Sequence, residues 1–475
     1  MGRWPADWPE SVHLIGVGGV AMSGLAAVLA QGGSRVRGSD RAVYPPASTM
    51  LEAAGIELRT PFDASHLSPA PELVVVGNAI SRGNVELEHA LSEGLALTSL
   101  PEVIERLLVP RRRVTVIAGT HGKTTATSMS AWLHHAAGHD PTFLIGGQPG
   151  NFDVGARLGQ GRDLILEGDE YDSAFFDKGP KFLHYWPEIA VLGPVEYDHA
   201  DIYADLAAVE RAFSLYLRLL PDTGTLIVHD HPGALALARE ARARVIVCGL
   251  SDEASIGARN RVDTDDGQSF TLVNDKREVG RVRLALAGEH NARNALGALA
   301  AAAAADIPLE RGIELLAEFR GPKRRLEKLA VVDDAVLYDD FAHHPTAVDE
   351  TLRTLRQRVP SGGRLVACLE PRSNTMVRSV WAQRLEDALS QADLVLLGPI
   401  DRPERFQSGE ALDIAALVQR LRARGRDAYG PLPPSEIADA VSANLRPGDR
   451  VVVMSNGAFG GLARELARRF ALRAG

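Results

Sequence analysis

Short apolar runs alternate with helical segments along three stretches of the chain. Runs of strand length, each leading into a glycine turn or a helix, begin at Val12, Arg35 and Leu73; at Val114, Leu164, Ile189 and Thr225; and at Ala335, Arg364, Leu394 and Val451. Strands that alternate with helices predict parallel sheets covered on both faces. We therefore predict an α/β protein of three domains in series, at residues 1–110, 111–320 and 321–475.

Two further segments refine this division. The polar residues 251–280 alternate weakly between apolar and polar positions, which predicts an antiparallel hairpin added to the second sheet. The alanine-rich residues 291–305 predict a helix. Gly321-Pro322 is a natural boundary, and a candidate hinge, between the second and third domains.

The composition restricts where the protein acts and what it binds. The 475 residues are 45% hydrophobic and 24% charged, which is typical of a globular protein and excludes extended disorder. The longest featureless apolar run, residues 295–305, is too short to span a membrane, and no secretory leader is visible. We therefore expect a cytoplasmic protein without a membrane partner. A net charge of −9 argues against nucleic-acid binding, and the oligomeric state, monomer or dimer, stays open.

A glycine-rich segment directly after a predicted strand indicates nucleotide binding. The segment precedes a predicted helix and consists of Gly119, Thr120, His121, Gly122, Lys123, Thr124 and Thr125. Such a turn directs backbone N–H groups at phosphate oxygens, with a lysine for the β- and γ-phosphates and a hydroxyl for Mg²⁺. Ile117 stands where the strict phosphate-loop pattern has glycine, so a coincidental Gly-Lys-Thr turn is the alternative. We predict that the segment binds ATP with Mg²⁺.

Acidic residues follow the next two strands of the same predicted sheet. Residues 167–172 hold four carboxylates, and residues 196–201 add three more around His199. Carboxylate oxygens suit Mg²⁺, and clustered carboxylates repel each other unless a cation lies among them. Either run alone could be a solvated acidic turn. Both runs at one sheet edge predict a metal and substrate site.

A second glycine turn opens the first domain. Gly16, Gly18 and Ala21 fit the pattern G-x-G-x-x-G/A, and Asp40 ends the next predicted strand. Alone, this pattern indicates NAD binding, although a single match to it is weak. The second nucleotide loop at Gly119 and the continuation Met22-Ser-Gly24 argue against NAD.

Two more motifs follow the loop at Gly119: Gly288-Glu-His-Asn-Ala-Arg-Asn294 and Tyr338-Asp-Asp-Phe-Ala-His-His-Pro345. In this order and at these distances, the three motifs resemble the signatures of the bacterial Mur ligase family, which builds the peptide stem of peptidoglycan. The resemblance extends from Gly16 to Gly461. Residues 78–84, 170–178, 370–376 and 454–461 are most similar to the branch of the family that reuses murein tripeptide in peptidoglycan recycling.

The resemblance implies a role for each domain. It implies a Rossmann-like N-terminal domain that binds UDP-N-acetylmuramate, a central P-loop-type ATPase domain, and a Rossmann-like C-terminal domain that binds the acceptor peptide and part of ATP. The residues implied for the UDP-sugar are Gly16, Gly18, Gly19, Met22, Ser23, Ser39, Asp40, Asn78, Arg82 and Asn84. The residues implied for the acceptor peptide are Arg372, Ser373 and Asn374.

The resemblance also implies individual roles around ATP. Beyond the loop itself, these are Asn291 and Asn294 beside adenine, Arg325 near the γ-phosphate, Asp340 on the ribose, and Thr124, Glu167 and His199 as metal ligands. Lys123, Arg325 and His343 are the implied catalytic residues, with His343 either the base for the amine or a structural residue. Several relatives carry a carbamylated lysine about fifteen residues after the metal histidine, where this chain has Ser214.

The implied reaction is the ATP-dependent joining of UDP-N-acetylmuramate to L-alanyl-γ-D-glutamyl-meso-diaminopimelate through an acyl phosphate. The resemblance also implies a role in cell-wall biogenesis, cell shape and cell division. The alternative within the family is ligation of L-alanine to the same sugar nucleotide, which residues 82–84 and 372–374 disfavour. A ligase similar to folylpolyglutamate synthase has no reason to carry the Gly16 domain. A non-catalytic sensor of cell-wall precursors has no reason to keep Lys123 and Asp340.

Overall fold

The structure, a computed structural model, describes residues 4–5, 7–45, 47–264, 266–400 and 410–474. Among these residues the strands form three sheets, one after another along the chain. The outer limits of the predicted first and third domains, residues 1 and 475, lie outside the described residues. The three sheets extend over residues 11–99, 113–284 and 327–454. The domain boundaries near residues 110 and 320 stay predictions.

Within the described residues the first sheet has five parallel strands, in the order β3-β2-β1-β4-β5. Its elements are strands β1 (Ser11–Ile15), β2 (Arg35–Ser39), β3 (Glu57–Arg59), β4 (Leu73–Val76) and β5 (Leu97–Ser99), and helices α1 (Val20–Gln31), α2 (Ala47–Ala53), α3 (Val85–Ser92) and α4 (Leu100–Val103). The strand order reverses between β1 and β4, which is where α/β sheets bind nucleotides. The loops after these two strands adjoin, since the Gly77 N–H donates to the Ile15 carbonyl (2.9 Å).

The central sheet has ten strands in the part of the chain that the structure describes, in the order β15-β14-β13-β12-β11-β10-β6-β9-β7-β8. The strands are β6 (Arg113–Ala118), β7 (Thr142–Leu144), β8 (Ala156–Arg157), β9 (Asp163–Gly168), β10 (Ile189–Leu192), β11 (Thr225–His229), β12 (Arg244–Gly249), β13 (Ile256–Thr264), β14 (Gly267–Asn274) and β15 (Arg277–Leu284). The helices are α5 (Lys123–Ala136), α6 (Leu206–Leu217), α7 (Pro232–Ala238), α8 (Glu289–Ala304) and α9 (Leu309–Leu316). The predicted antiparallel extension is confirmed, and it has three strands, β13 to β15.

The third sheet has six strands within the described ranges, in the order β16-β17-β21-β18-β19-β20. Its elements are strands β16 (Glu327–Val332), β17 (Ala335–Asp340), β18 (Leu365–Leu369), β19 (Leu394–Leu397), β20 (Asp427–Tyr429) and β21 (Arg450–Met454), and helices α10 (Pro345–Arg356), α11 (Ala382–Leu389), α12 (Ile414–Ala423), α13 (Pro434–Asn444) and α14 (Leu462–Ala474). Only β16 pairs antiparallel with its neighbour among these strands. The predicted mainly parallel sheet is therefore confirmed.

Both faces of the central strands are buried, as an almost continuous apolar run requires. In β6, Val114 and Val116 pack into one hydrophobic cluster and Ile117 packs into another on the opposite face. The second cluster includes α8, whose small alanines allow it to approach α5 closely. No described helix is long and apolar enough to cross a membrane.

The two outer domains contact the central one in different ways. In the first domain, Gly24 of α1 lies so close to Ala156 that an added Cβ would be 2.9 Å from the alanine side chain. Two residues after the end of α4, Glu105 accepts hydrogen bonds from His184 (2.7 Å) and Trp186 (2.8 Å) of the central domain. The third domain contacts the loops that follow β6 and β10, which are described below.

A buried carboxylate at the opposite edge of the central sheet fixes the strand that leads into the glycine loop. Asp163, only 1% exposed, contacts Arg113 Nε (2.6 Å) at the start of β6 and His139 Nδ1 (2.8 Å) after α5. Burial opposes its ionisation, but the hydrogen bond from Arg113, together with His134 and His139, lowers the pKa of Asp163. The charge on Asp163 therefore stabilises the folded protein, and this stabilisation is fully present at pH values above the pKa of Asp163 in the unfolded chain.

We expect Asp163→Asn to lower the free energy of unfolding by about 3 kcal/mol at pH 7, because Arg113 loses its buried carboxylate. Urea unfolding of variant and parent measures this difference. Because the folded pKa lies below the unfolded value of about 3.9, the difference should disappear as the pH falls through the folded pKa. Asp222→Asn, at an exposed position, is the control. A difference that persists unchanged in acid would contradict this account.

Candidate active site

One large cavity lies between the three domains. Its volume is about 2390 Å³, and residues of all three domains line it. The loops that follow β1, β4, β6, β9, β17 and β21 contribute to its walls. Because carboxyl ends of parallel strands lie at one edge of a sheet, each domain presents its loop edge to the same space.

The glycine loop connects β6 to α5 as the sequence predicts. Gly119 and Gly122 have positive φ angles of 140° and 79°. An added Cβ at Gly119 would be 2.9 Å from the Gly193 Cα, and one at Gly122 would collide with the Asn294 amide. Both positions therefore exclude a side chain. The residues 120–125 line the cavity, whereas Gly119 lies behind them.

Lys123 is held inside this loop by an anionic partner. Its Nζ donates to the Gly119 carbonyl (2.7 Å) and to Glu170 Oε2 (2.8 Å), and the lysine side chain is 12% exposed. Burial alone would lower the pKa of Lys123, but the adjacent Glu170 carboxylate raises it. Glu170, 2% exposed, is in turn 3.2 Å from His199 Nε2. Glu170 therefore connects the loop lysine to the predicted metal histidine.

Two more carboxylates complete an acidic cluster beside the loop. Glu167 accepts from Thr124 Oγ1 (2.7 Å) and from the Gly146 N–H (2.7 Å), and Asp169 pairs with Lys181 (3.2 Å). Burial, and then the charge of Asp169, raise the pKa of Glu167. Lys123 and Lys181 thus pair with Glu170 and Asp169, whereas the hydrogen-bond partners of Glu167 are neutral.

His199 has the backbone conformation of a constrained site. Its φ of 52° is in the left-handed region, which is rare for residues other than glycine and clusters at functional sites. Ser214, at the position of the relatives' carbamylated lysine, lies on α6 and contacts Glu240 (3.1 Å). The carboxylate next to His199 is that of Glu170.

The residues predicted around adenine and ribose come from the second and third domains. Asn291 and Asn294 lie at the start of α8, are buried and line the cavity. Asp340, at the end of β17, accepts from the Leu326 N–H (2.7 Å) and therefore fixes the turn that carries Arg325. Arg325 reaches across to Thr124 Oγ1 (3.4 Å).

His343 lines the cavity, and the pKa of its imidazole is lowered. Its Nδ1 is 2.9 Å from the Phe341 carbonyl oxygen. Burial lowers the pKa of His343 to about 4. An imidazole with that pKa is neutral at pH 7 but is a poor acceptor for the proton of an ammonium group. Both roles left open by the sequence, base for the amine or structural residue, stay predictions, and the low pKa disfavours the base.

The first domain presents only part of its predicted set to the cavity. The lining residues are Gly16, Gly19, Met22, Asp40, Asn78, Arg82 and Asn84. Gly18 instead donates its N–H to Asp40 (2.9 Å), and the Ser23 hydroxyl bonds the Val20 carbonyl within α1. Ser39 is buried against Glu86, which also contacts His13 (3.2 Å). These three residues support the loops that line the cavity.

Two of the lining residues also have structural partners. Asn84 caps α3 by accepting from the Glu86 N–H (3.0 Å), and Arg82 forms two 2.9 Å hydrogen bonds to Glu88. The arginine lowers the pKa of Glu88 to about 2. Arg82 and Asn84 can therefore bind an anion only through the N–H groups that are not already bonded to Glu88 or used in the helix cap.

The predicted acceptor residues lie beside the cavity, and none of the three is among its described lining residues. Ser373 Oγ donates to the His343 carbonyl (2.7 Å), and Arg372 packs against Gly457. Asn374 is exposed. Through His343 and Gly457 this segment contacts residues that do line the cavity.

Three family profiles match consecutive parts of the chain. They are described as Mur ligase family, catalytic domain (residues 11–112), Mur ligase middle domain (117–302), and Mur ligase, glutamate ligase domain (324–457). The UDP-N-acetylmuramate–L-alanyl-γ-D-glutamyl-meso-2,6-diaminoheptandioate ligase of Escherichia coli strain K12 is 39% identical, with 98% of this chain and 99% of that protein covered. This chain belongs to the Mur ligase family.

Two further Mur ligases extend the comparison. The UDP-N-acetylmuramate–L-alanine ligase of Salinispora tropica is 35% identical, with 95% of this chain and 86% of that protein covered. The crystal structure of a murein peptide ligase from Psychrobacter arcticus matches with a TM-score of 0.72 and 32% identity, over 97% of this chain and 98% of that one. The predicted three-domain Mur ligase fold is therefore confirmed.

We expect Gly122→Ala to weaken Mg-ATP binding at least roughly tenfold, because the alanine must adopt a left-handed conformation and displace Asn294. Gly138→Ala is the matched control, since Gly138 has a similar φ of 85° but open space around it. Calorimetric titration of both variants with the non-hydrolysed ATP analogue measures the effect. Equal affinities in the two variants would show that the contact with Asn294 has no part in nucleotide binding.

Proposed function

We propose that this protein is an ATP-dependent amide ligase that joins UDP-N-acetylmuramate to L-alanyl-γ-D-glutamyl-meso-diaminopimelate, with ADP and phosphate as products, in peptidoglycan recycling. The observation that carries the proposal is that the Lys123 loop and the Gly16 loop line the same cavity. One cavity can thus hold a triphosphate and a nucleotide sugar together. The 39% identity to the E. coli ligase of that name supports the same substrates.

The reaction needs ATP because a carboxylate has no leaving group that an amine can displace. A lactyl carboxylate oxygen attacks the γ-phosphorus, the bond from phosphorus to the ADP oxygen breaks, and an acyl phosphate forms. The peptide amine then attacks the acyl carbon, and the tetrahedral intermediate expels phosphate. The first step brings two anions together, so the cations Lys123 and Arg325 would stabilise its transition state.

The residues beside the loop fit a divalent cation. Thr124 Oγ1 and Glu167 offer hard oxygen ligands next to each other. Burial, and then the charge of Asp169, raise the pKa of Glu167, and a cation bound there would stabilise its charged form. We propose that Thr124, Glu167 and His199 hold Mg²⁺. When bound, Mg²⁺ supplies charge neutralisation at the phosphates.

Glu170 is an addition to this set that the sequence did not identify. It contacts both Lys123 and His199. We propose that Glu170 orients both side chains, so that Lys123 points into the loop and His199 keeps one ring orientation. Lys123 would exchange Glu170 for a phosphate oxygen of ATP.

The substrates occupy opposite sides of the acyl carbon in this proposal. The sugar nucleotide would lie along Gly16, Asp40 and Asn78, with its pyrophosphate at the N-terminus of α1. The tripeptide would approach from the segment at Arg372, next to His343. We propose that the protein acts in the cytoplasm, which supplies both ATP and UDP-sugar.

The test of the proposed function is phosphate release with ATP, Mg²⁺ and UDP-N-acetylmuramate. We expect kcat/KM with the tripeptide to exceed that with L-alanine by at least roughly 100-fold, because L-alanine lacks two of the residues to be recognised. Release with L-alanine alone would move the protein to the alanine-adding branch of the family. Absence of release with either amine would contradict the proposed ligase activity.

We expect Lys123→Ala to reduce phosphate release at least roughly 100-fold while UDP-N-acetylmuramate binding persists, because the lysine serves the triphosphate and not the sugar nucleotide. Coupled phosphate assays and calorimetric titration measure the two properties. Lys328→Ala, at an exposed position of β16, is the control. Loss of both properties in a folded variant would mean that the two nucleotide sites are misassigned.

A further inference from the structure

A short segment after β10 connects the central domain to the third domain. Residues 196–200, hereafter the His199 segment, carry the proposed metal ligand His199. They follow the strand next to β6 and therefore lie beside the glycine loop.

Four of the five residues in the His199 segment contact the third domain. Glu196 Oε2 accepts from Thr346 Oγ1 (2.7 Å), and Asp198 Oδ1 accepts from Thr375 Oγ1 (2.5 Å). The Tyr197 carbonyl contacts His344 Nε2 (3.2 Å), and its ring stacks on Trp381.

The end of the segment is held in the same way. The Ala200 N–H points at Thr375 Oγ1 (3.5 Å), and the Ala200 carbonyl accepts from Arg378 (3.2 Å). His199 instead turns back to Glu170, with its left-handed backbone. The flanking residues are thus held by the third domain, and the metal histidine between them faces the acidic cluster.

The same contacts reach the glycine loop. Glu196 Oε2 also lies 2.9 Å from His121 Nε2, and the rings of His121 and His344 are 4.7 Å apart. Glu196 is therefore shared between the loop of the central domain and the N-terminus of α10. A shift of α10 away from the central domain would remove the hydroxyl that Glu196 accepts from.

We propose that Thr346 and Thr375 are positioning residues that orient His199 and the glycine loop when the third domain is docked. The hydroxyls act through Glu196 and Asp198, and neither threonine is among the described lining residues of the cavity. The proposal rests on the proposed function, since it assigns His199 to the metal. According to this proposal, the metal and triphosphate site is complete only when the third domain is docked against the central domain.

The test compares Thr346→Val/Thr375→Val with Thr346→Ser/Thr375→Ser, which keeps both hydroxyls. Thr354→Val is the matched control, because the Thr354 hydroxyl donates to the Glu350 carbonyl within α10. Three properties are measured on each variant: kcat and KM for phosphate release, the affinity for Mn²⁺ with the non-hydrolysed ATP analogue by electron paramagnetic resonance, and the affinity for UDP-N-acetylmuramate.

We expect the double valine variant to lose roughly 10- to 100-fold in kcat/KM for Mg-ATP and to bind Mn²⁺ more weakly, because hydrogen bonds to two carboxylates are lost. Its UDP-N-acetylmuramate affinity should match the parent, and the double serine variant should recover at least half of the lost Mn²⁺ affinity. Parental Mn²⁺ affinity in the double valine variant would overturn the proposal.

Failure of the proposed function is recognised separately. If the parent protein releases no phosphate with any amine, the ligase assignment fails, and the Mn²⁺ affinities alone still decide the positioning role. A variant with reduced UDP-N-acetylmuramate affinity and a lowered unfolding midpoint would indicate general damage. In that case, equal losses in the double serine variant would overturn the proposal.

Discussion

A buried lysine ammonium needs an anionic partner, and at Lys123 this requirement organises the centre of the molecule. Glu170 supplies the partner from the end of β9, and its carboxylate is shared with His199 from the end of β10. The pairing works only because β6, β9 and β10 are adjacent and parallel, so that their carboxyl ends meet. The strand order of the central sheet is thus the structural condition for the charged cluster.

The outer domains depend on that centre in unequal ways. The first domain packs through α1 and α4 against β8 and residues 181–184 of the central domain, and the Gly18 N–H of its own glycine loop donates to Asp40. The third domain contributes Arg325 to the cluster and holds the His199 segment. In the proposed function, binding of the sugar nucleotide would therefore depend mainly on one domain, whereas the ATP-dependent steps would need residues of two.

Much of the fold and the location of the site could be predicted from the sequence, because both depend on local patterns. The strands at Val12, Val114 and Ala335 are apolar runs, and the loop at Gly119 depends on two glycines with positive φ. Which carboxylate pairs with Lys123 could not be predicted, since residues 167–172 offer four and only the packing of α5 selects Glu170. The burial of Ser39 could not be predicted from the sequence either, because its hydrogen-bond partners, His13 and Glu86, lie on β1 and α3.

The contacts of the third domain with the His199 segment could not be predicted from the sequence for a different reason. Thr346 and Thr375 belong to no charged or glycine-rich pattern, and each finds its carboxylate about 150 residues or more away along the chain. The contacts that they make with the central domain are hydrogen bonds, with the aromatic pair of Tyr197 and Trp381 beside them. Such an interface can separate at lower cost than an apolar one of equal area, since water replaces the lost hydrogen bonds. A ligase that must admit two nucleotides and a peptide, and exclude water from an acyl phosphate, needs a domain contact of that kind.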